Sequence, residues 1–329
     1  MDVDRFASLC KGVCAVDLFC VMSIVYKKYM CCEYLSGWDR YDCFSRVKRG
    51  KTSVKDIEPQ ELEVIHRENQ WIAINKPIDW MVHQGWEKGQ PALTDLVRTL
   101  TERRVYPIHR LDRATSGVLL FALSQRMAKD LNGLFSSRAI RKRYLCVVHG
   151  EAPAQGMVDK PLTRRAGKRG RNDPLLHAKT WFRRICYVDS EEISLIEAVP
   201  VTGRQHQIRR HLRHIRFPLL GDKRYGYRRQ YVKHRIEHGL ARLGLHALSL
   251  SFVHPIDGHM QHVIAPIPQD LQTSLERMLI PASLWSWFEE IPDFTWLEAL
   301  IEEEEAREEA EAKEEAELLS EEGEAKEED

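Results

Sequence analysis

Pro107-Ile108-His109-Arg110-Leu111-Asp112-Arg113-Ala114-Thr115-Ser116-Gly117-Val118-Leu119-Leu120 decides how the rest of this 329-residue chain is read. The apolar run that follows Gly117, bounded by turn residues, predicts a buried strand over Val118–Leu123. Asp112 then sits on the loop that feeds the strand, an address where rigid scaffolds hold reactive groups. Taken alone, it reads most simply as a turn aspartate paired with Arg110 or Arg113. The remaining chain has to decide between these readings.

Charge is the first external constraint. The totals balance at 49 basic and 49 acidic residues, but the signs are segregated. Residues 282–329 hold 20 acidic and 3 basic side chains, which leaves 46 basic against 29 acidic in residues 1–281. A basic body with an acidic tail points to a polyanionic partner, most simply nucleic acid. No stretch of about eighteen apolar residues suits a bilayer span. Six of the eight cysteines lie before residue 45, without the paired spacing of a zinc site or a signal peptide ahead of them. Reduced thiols in a cytoplasmic protein are expected.

Three divisions follow from composition. Residues 1–55 are a Cys-, Tyr- and Phe-rich extension without periodicity. Residues 56–281 carry the alternating and helical patterns of one mixed domain. Residues 282–329 begin with an aromatic patch (Trp285, Trp287, Phe288, Phe294, Trp296) able to dock on the body, and end in a Glu-rich segment that is either helical or disordered. Within the body, Leu62–His66 and Trp71–Asn75 predict a hairpin. Pro91 and the leucines after it open an amphipathic helix, and Ala128–Phe135 is a second helix. Strands are expected at Arg141–Val148, Ala178–Tyr187, Ile193–Val199, Leu243–Val253 and Met260–Ile264. Helices are expected at Gln205–Ile215 and Asp270–Leu279, with residues 219–242 as a polar, basic insertion. Mixed strands and helices in this order indicate an α+β fold.

Three further segments carry chemistry-bearing side chains. Lys142-Arg143-Tyr144 places an aromatic hydroxyl at a strand start, which by itself is equally a half-buried strand tyrosine. Thr202-Gly203-Arg204-Gln205-His206-Gln207-Ile208-Arg209 is a turn running into a helix, with free N–H groups at its start. Gln205 with Arg209 and His206 with Arg210 are expected to share helix faces, which also fits a solvated basic helix. No carboxylate or thiol accompanies His206 and His211 in sequence, so a metal is not expected. Leu243-Gly244-Leu245-His246-Ala247 reads as a core strand or the floor of a pocket.

Together, Asn75-Lys76-Pro77, His109-Arg110-Leu111-Asp112, Lys142-Arg143-Tyr144, Thr202-to-Arg209 and Leu245-His246-Ala247 resemble the RluA-type pseudouridine synthases in order and spacing, over residues 61–278. Trp80-Met81-Val82-His83 and Glu237-His238-Gly239-Leu240 are similar to the branch of that family acting on uridine 65 of tRNA. The resemblance implies a bent, mostly antiparallel mixed sheet with flanking helices and a central RNA cleft. It implies an isomerase that flips a uridine out of the RNA, with Asp112 as the catalytic aspartate and Arg209 as its bidentate partner. Tyr144 would stack on the extruded base, and Arg110 would fill the vacated stack. The basic segments Lys160–Arg171 and Arg204–Arg235 would hold the RNA backbone. No cofactor, metal or membrane is expected, and the protein is expected to be a monomer. Two other readings remain: a ribosomal RNA synthase of the same family, and an RNA-binding or folding-assistance protein.

Overall fold

The computed structural model describes residues 58–83, 92–164 and 174–324, with side chains to residue 313. The N-terminal extension, the opening Pro91 and most of the basic Lys160–Arg171 loop lie outside the described residues. Residues 56–329 form one compact unit.

The fold begins with the expected hairpin, β1 (Val64–Arg67) against β2 (Trp71–Lys76). Helix α1 (Leu93–Thr101) buries Leu93, Leu96 and Val97, the apolar stripe of its sequence. A short β3 (Tyr106–Pro107) leads through the Asp112 loop into β4 (Ser116–Ala122). Every residue of β2 and β4 is buried, as continuous apolar runs require when a strand is covered on both faces. Ser124 caps α2 (Gln125–Ser136), its hydroxyl accepting from the Met127 N–H at 3.2 Å.

After α2 come β5 (Arg141–His149), β6 (Gln155–Asp159), a small pair of β7 (Leu162–Thr163) with β8 (Leu175–Leu176), and the long hairpin of β9 (Lys179–Val188) and β10 (Ile193–Pro200). Helix α3 (Gln207–His214) follows the Thr202–His206 turn. The insertion contains a helix, α4 (Arg228–Glu237), which its sequence does not announce because it has no apolar face. The body closes with β11 (Leu245–Val253), β12 (Met260–Ile264) and α5 (Gln269–Arg277).

Ten strands make one sheet in the order β1-β2-β4-β11-β5-β10-β9-β6, with β3 beside β4 and β12 beside β11. All pairs are antiparallel except β4 with β11. Helices flank the sheet, and apolar clusters lie against it: one under α2, one under α5 and one under α3. No helix among the described residues is long and apolar enough to cross a membrane.

The aromatic patch of the tail docks on the body. In α6 (Leu284–Glu289) Trp287 covers the Arg143 guanidinium at 4.1 Å, and Trp296, at the start of α7 (Thr295–Glu324), covers Arg183 at 4.9 Å. Both arginines donate to Glu197, which is 1% exposed, so the two indoles help to roof a buried carboxylate–guanidinium trio. Phe294 and Leu297 pack with Trp181 and Val199. The Glu-rich segment continues α7 as helix to residue 324.

The single parallel pair is also a close joint that leaves no room for a side chain at Gly117. Gly117 faces Ala247, and a Cβ on Gly117 would lie 2.1 Å from the Ala247 carbonyl oxygen; its φ of +115° is equally closed to side chains. From this point one row of neighbours crosses the sheet: Lys76, Gly117, Ala247, Tyr144, Ala198. Gly117→Ala should therefore cost more than about 3 kcal/mol of stability or prevent folding, as strain at such a position does. Urea denaturation checks this.

Candidate active site

The Asp112 loop is held from below by a lysine. Lys76, at the end of β2, is fully buried and donates to the carbonyls of Pro77 (2.7 Å), Arg113 (3.1 Å) and Thr115 (2.9 Å). Three acceptors match the three N–H bonds of an ammonium. Burial, then the charge of Arg242, pushes its pKa down to about 7. Asp79 N–H donates to Arg113 O at 2.7 Å, closing the loop on its other side. His109 accepts from the Leu120 N–H through Nε2 (3.1 Å) and stacks on Phe135, so the residue before Arg110 is anchored to β4.

A second buried chain fixes the parallel pair. His246 Nε2–H donates to Ala265 O (3.2 Å), and its Nδ1 then accepts from the Ser116 hydroxyl (2.7 Å). Ser116 in turn accepts from Arg242, whose other nitrogen donates to Asp270. Burial, above all, pushes the His246 pKa down to about 3, so the ring stays neutral.

Asp112 itself is about one-fifth exposed and faces a cleft of about 760 Å³. Arg209 Nη1 donates to its Oδ2 at 3.2 Å. The bidentate fork of Arg209 goes elsewhere, and this corrects the sequence expectation. Nε and Nη2 grip Asp222 at 2.8 and 2.9 Å, leaving a single nitrogen for Asp112. The Asp222 side chain is completely buried and also accepts the N–H groups of Arg224 and Tyr225. Burial would raise its pKa, but the Arg209 hydrogen bonds and charge outweigh that and hold it below the usual carboxylate range. Nothing in periodicity marks Asp222. Its only signal is a Gly-Asp pair ahead of Arg224-Tyr225-Gly226 in a stretch otherwise read as insertion.

The helix carrying Arg209 starts two residues later than expected. Gln205 and His206 precede it, so neither shares a helical face with Arg209 or Arg210. His206 adopts φ +54° and turns toward the aspartate: its Nε2 lies 3.6 Å from Asp112 Oδ2, and Nδ1 lies 3.0 Å from the Tyr225 hydroxyl. Burial lowers the His206 pKa, against the opposing pull of Asp112. Gln207 staples the turn, its Oε1 accepting from Thr202 Oγ1 (2.6 Å) and Arg204 N–H (3.0 Å) while its Nε2 donates to Lys179 O and Thr180. His211 is buried between Thr180 and Lys160 O, away from His206.

Tyr144 reaches the cleft from β5, opposite Ala247 and Ala198, whose small side chains leave room for its ring. Burial first, and the Asp112 charge second, push its hydroxyl above the ordinary phenol range, so it remains protonated. Lys142, two residues before, donates to Thr202 O at 3.1 Å and ties β5 to the turn. Arg110 is exposed at the cleft, where Arg164 and Arg204 also contribute to the lining. The fold thus brings Asp112, Arg209, Tyr144 and Arg110 to one cleft from three separate segments.

Residues 70–214 match a family model described as RNA pseudouridylate synthase. The tRNA pseudouridine synthase C of Haemophilus ducreyi is 36% identical over 210 residues, covering 59% of this chain and 86% of that protein. The Pasteurella multocida protein of the same name is 36% identical over 224 residues, covering 63% and 92%. The solved structure of human RNA pseudouridylate synthase domain containing 4 superposes with a TM-score of 0.56 at 26% identity, covering 67% of this chain and 94% of that one.

Two outcomes test the geometry. Asp222→Asn leaves a buried guanidinium half-paired and should cost about 3 kcal/mol, measured by chemical denaturation. His246 titrates near 6.5 in the unfolded chain and far lower in the fold, so below pH 6.5 only the unfolded chain takes up its proton. Stability should fall as pH falls, by roughly 2 kcal/mol between pH 7 and 5 from this residue. Denaturation curves at the two pH values, with His246→Gln flattening the difference, check the sign.

Proposed function

The chain belongs to the RNA pseudouridylate synthase family, and we propose that it isomerises a uridine of tRNA, uridine 65, with Asp112 as the catalytic aspartate. Family membership makes it an isomerase that forms pseudouridine in RNA. The observation that carries the site assignment is the 3.2 Å bond from Arg209 Nη1 to Asp112 Oδ2 at a cleft that Tyr144 and Arg110 also line. The tRNA assignment rests on the names of the relatives and on the basic residues at the cleft.

In this reading the target nucleotide leaves the RNA stack, at a cost of a few kcal/mol, and enters the cleft. The exposed, planar Arg110 cation takes the vacated space and offsets part of that cost. The base lies against Tyr144. Asp112, oriented by the Arg209 N–H, removes the C2′ proton of the sugar as the C1′–N1 bond breaks, giving a glycal and a uracil anion. The base turns, C5 bonds to C1′ as the proton returns to C2′, and the C5 hydrogen is finally exchanged for one on N1. Asp112, a carboxylate again once C2′ has its proton back, takes the proton that C5 gives up, and the Tyr144 hydroxyl, held protonated, faces the base as a hydrogen-bond donor. Arg209 acts on direction and charge: its fork on Asp222 fixes the guanidinium, which then points one nitrogen at Asp112. The catalytic domain in this proposal spans residues 56–281, with 282–329 as an appended segment.

Asp112→Ala should lower pseudouridine formation by about 10³-fold or more while tRNA binding stays within a few-fold. Carbodiimide mapping of tRNA and rRNA from cells carrying the variant reads both the loss and the substrate. Loss at rRNA positions with tRNA intact would overturn the tRNA assignment, and unchanged pseudouridine would overturn the role of Asp112.

A further inference from the structure

Outside the cleft, Glu191, Glu237 and His238 come together from two distant segments, and we propose that they bind a divalent transition-metal ion. Glu191 ends a short 3-10 turn between β9 and β10, Glu237 is the last residue of α4, and His238 caps that helix. One ligand atom from each lies within 4.8 Å of the others. None of the three lines the cleft, so the ion takes no part in the bond changes there.

The histidine gives the argument its force. Its side chain is 6% exposed. Nδ1 lies 3.1 Å from Arg277 O, which can only accept, so Nδ1 carries a proton and Nε2 is the ring atom open to a metal. That Nε2 is buried and makes no hydrogen bond, although Glu191 Oε2 lies 3.0 Å away. An imidazole nitrogen and a carboxylate oxygen at this distance, off a hydrogen-bonding line, match adjacent corners of a coordination shell. Metal-binding histidines are oriented in the same way, by an N–H donated from the far ring nitrogen to a carbonyl. Glu237 is 51% exposed and closes the site on the solvent side, where water completes the shell.

One nitrogen and two carboxylates, with two negative charges, suit zinc or cobalt. Without the ion, Lys233 supplies the countercharge: its Nζ stands 3.9 Å from both carboxylates, on a side chain 41% exposed that is free to swing away. The ion would pin α4 to the β9–β10 turn. The segment leading into α4 carries Asp222, the residue that grips Arg209, so the site braces the support of the cleft from behind.

Titration of the full, metal-stripped chain with Co²⁺, followed by visible absorption, tests this. The expected result is a saturable set of weak d–d bands from nitrogen and oxygen ligands. Thiolate binding by the N-terminal cysteines is separated by its intense near-ultraviolet band. Glu237→Gln, on an exposed side chain, and His238→Gln should each weaken the d–d component about tenfold or more, and Lys233→Met should strengthen it by removing the competing ammonium. Equal affinity in wild type and Glu237→Gln, or no saturable component of this kind, overturns the proposal and leaves a protonated His238 paired with Glu191.

Discussion

One row of residues across the sheet, Lys76–Gly117–Ala247–Tyr144–Ala198, is the constraint on which the molecule depends. One of its steps is the parallel contact of Gly117 with Ala247, where only hydrogen fits. Because side chains in a sheet alternate faces, a slip of one residue there would turn the whole row over. The two chain segments that meet at this step are more than a hundred residues apart, and the loop bearing Asp112 enters the sheet at the same point. Lys76 latches that loop from one side of the step, and the His246–Ser116–Arg242 chain locks the strands beneath it. Tyr144 is placed two strands away by the same register.

Arg209 translates this scaffold into a site. Its long side chain has five donors and two carboxylates to satisfy. The buried Asp222 takes the fork, and the partly exposed Asp112 takes one nitrogen. A guanidinium held in that way is already oriented, so the weaker contact to Asp112 inherits the direction of the stronger one. His206, in its left-handed conformation, and Tyr225 close the same corner.

Much of this is legible in sequence, for reasons that also explain what is not. Strand β4 follows a continuous apolar run, β10 an alternating pattern, and β12 has the expected bounds, Met260–Ile264. Asp112, Arg209, Tyr144 and Arg110 stand in motifs whose spacing resembles a family, and the fold gathers all four at one cleft. What escapes is set by tertiary partners. Asp222 has no periodic signature, because its meaning comes from a guanidinium thirteen residues earlier on another element. Spacing puts His206 on a helix face, but the turn that Gln207 staples delays the helix until after it. Helix α4, with no apolar stripe, offers no pattern to read. The docking of Trp287 and Trp296 depends on arginines in β5 and β9 that only the folded sheet brings near the tail.

The trio of Asp112, Arg209 and Asp222 has a consequence in charge geography. Within the trio two carboxylates face one guanidinium, while Arg110, Lys142, Arg164 and Arg204 bring positive charge to the lining of the cleft. A phosphodiester would be attracted to those cations and repelled by Asp112. An uncharged base and sugar meet no such barrier and are free to descend. Under the proposed function, the cleft would sort one nucleotide into its charged and neutral halves, holding the backbone at the arginines and admitting the base and sugar.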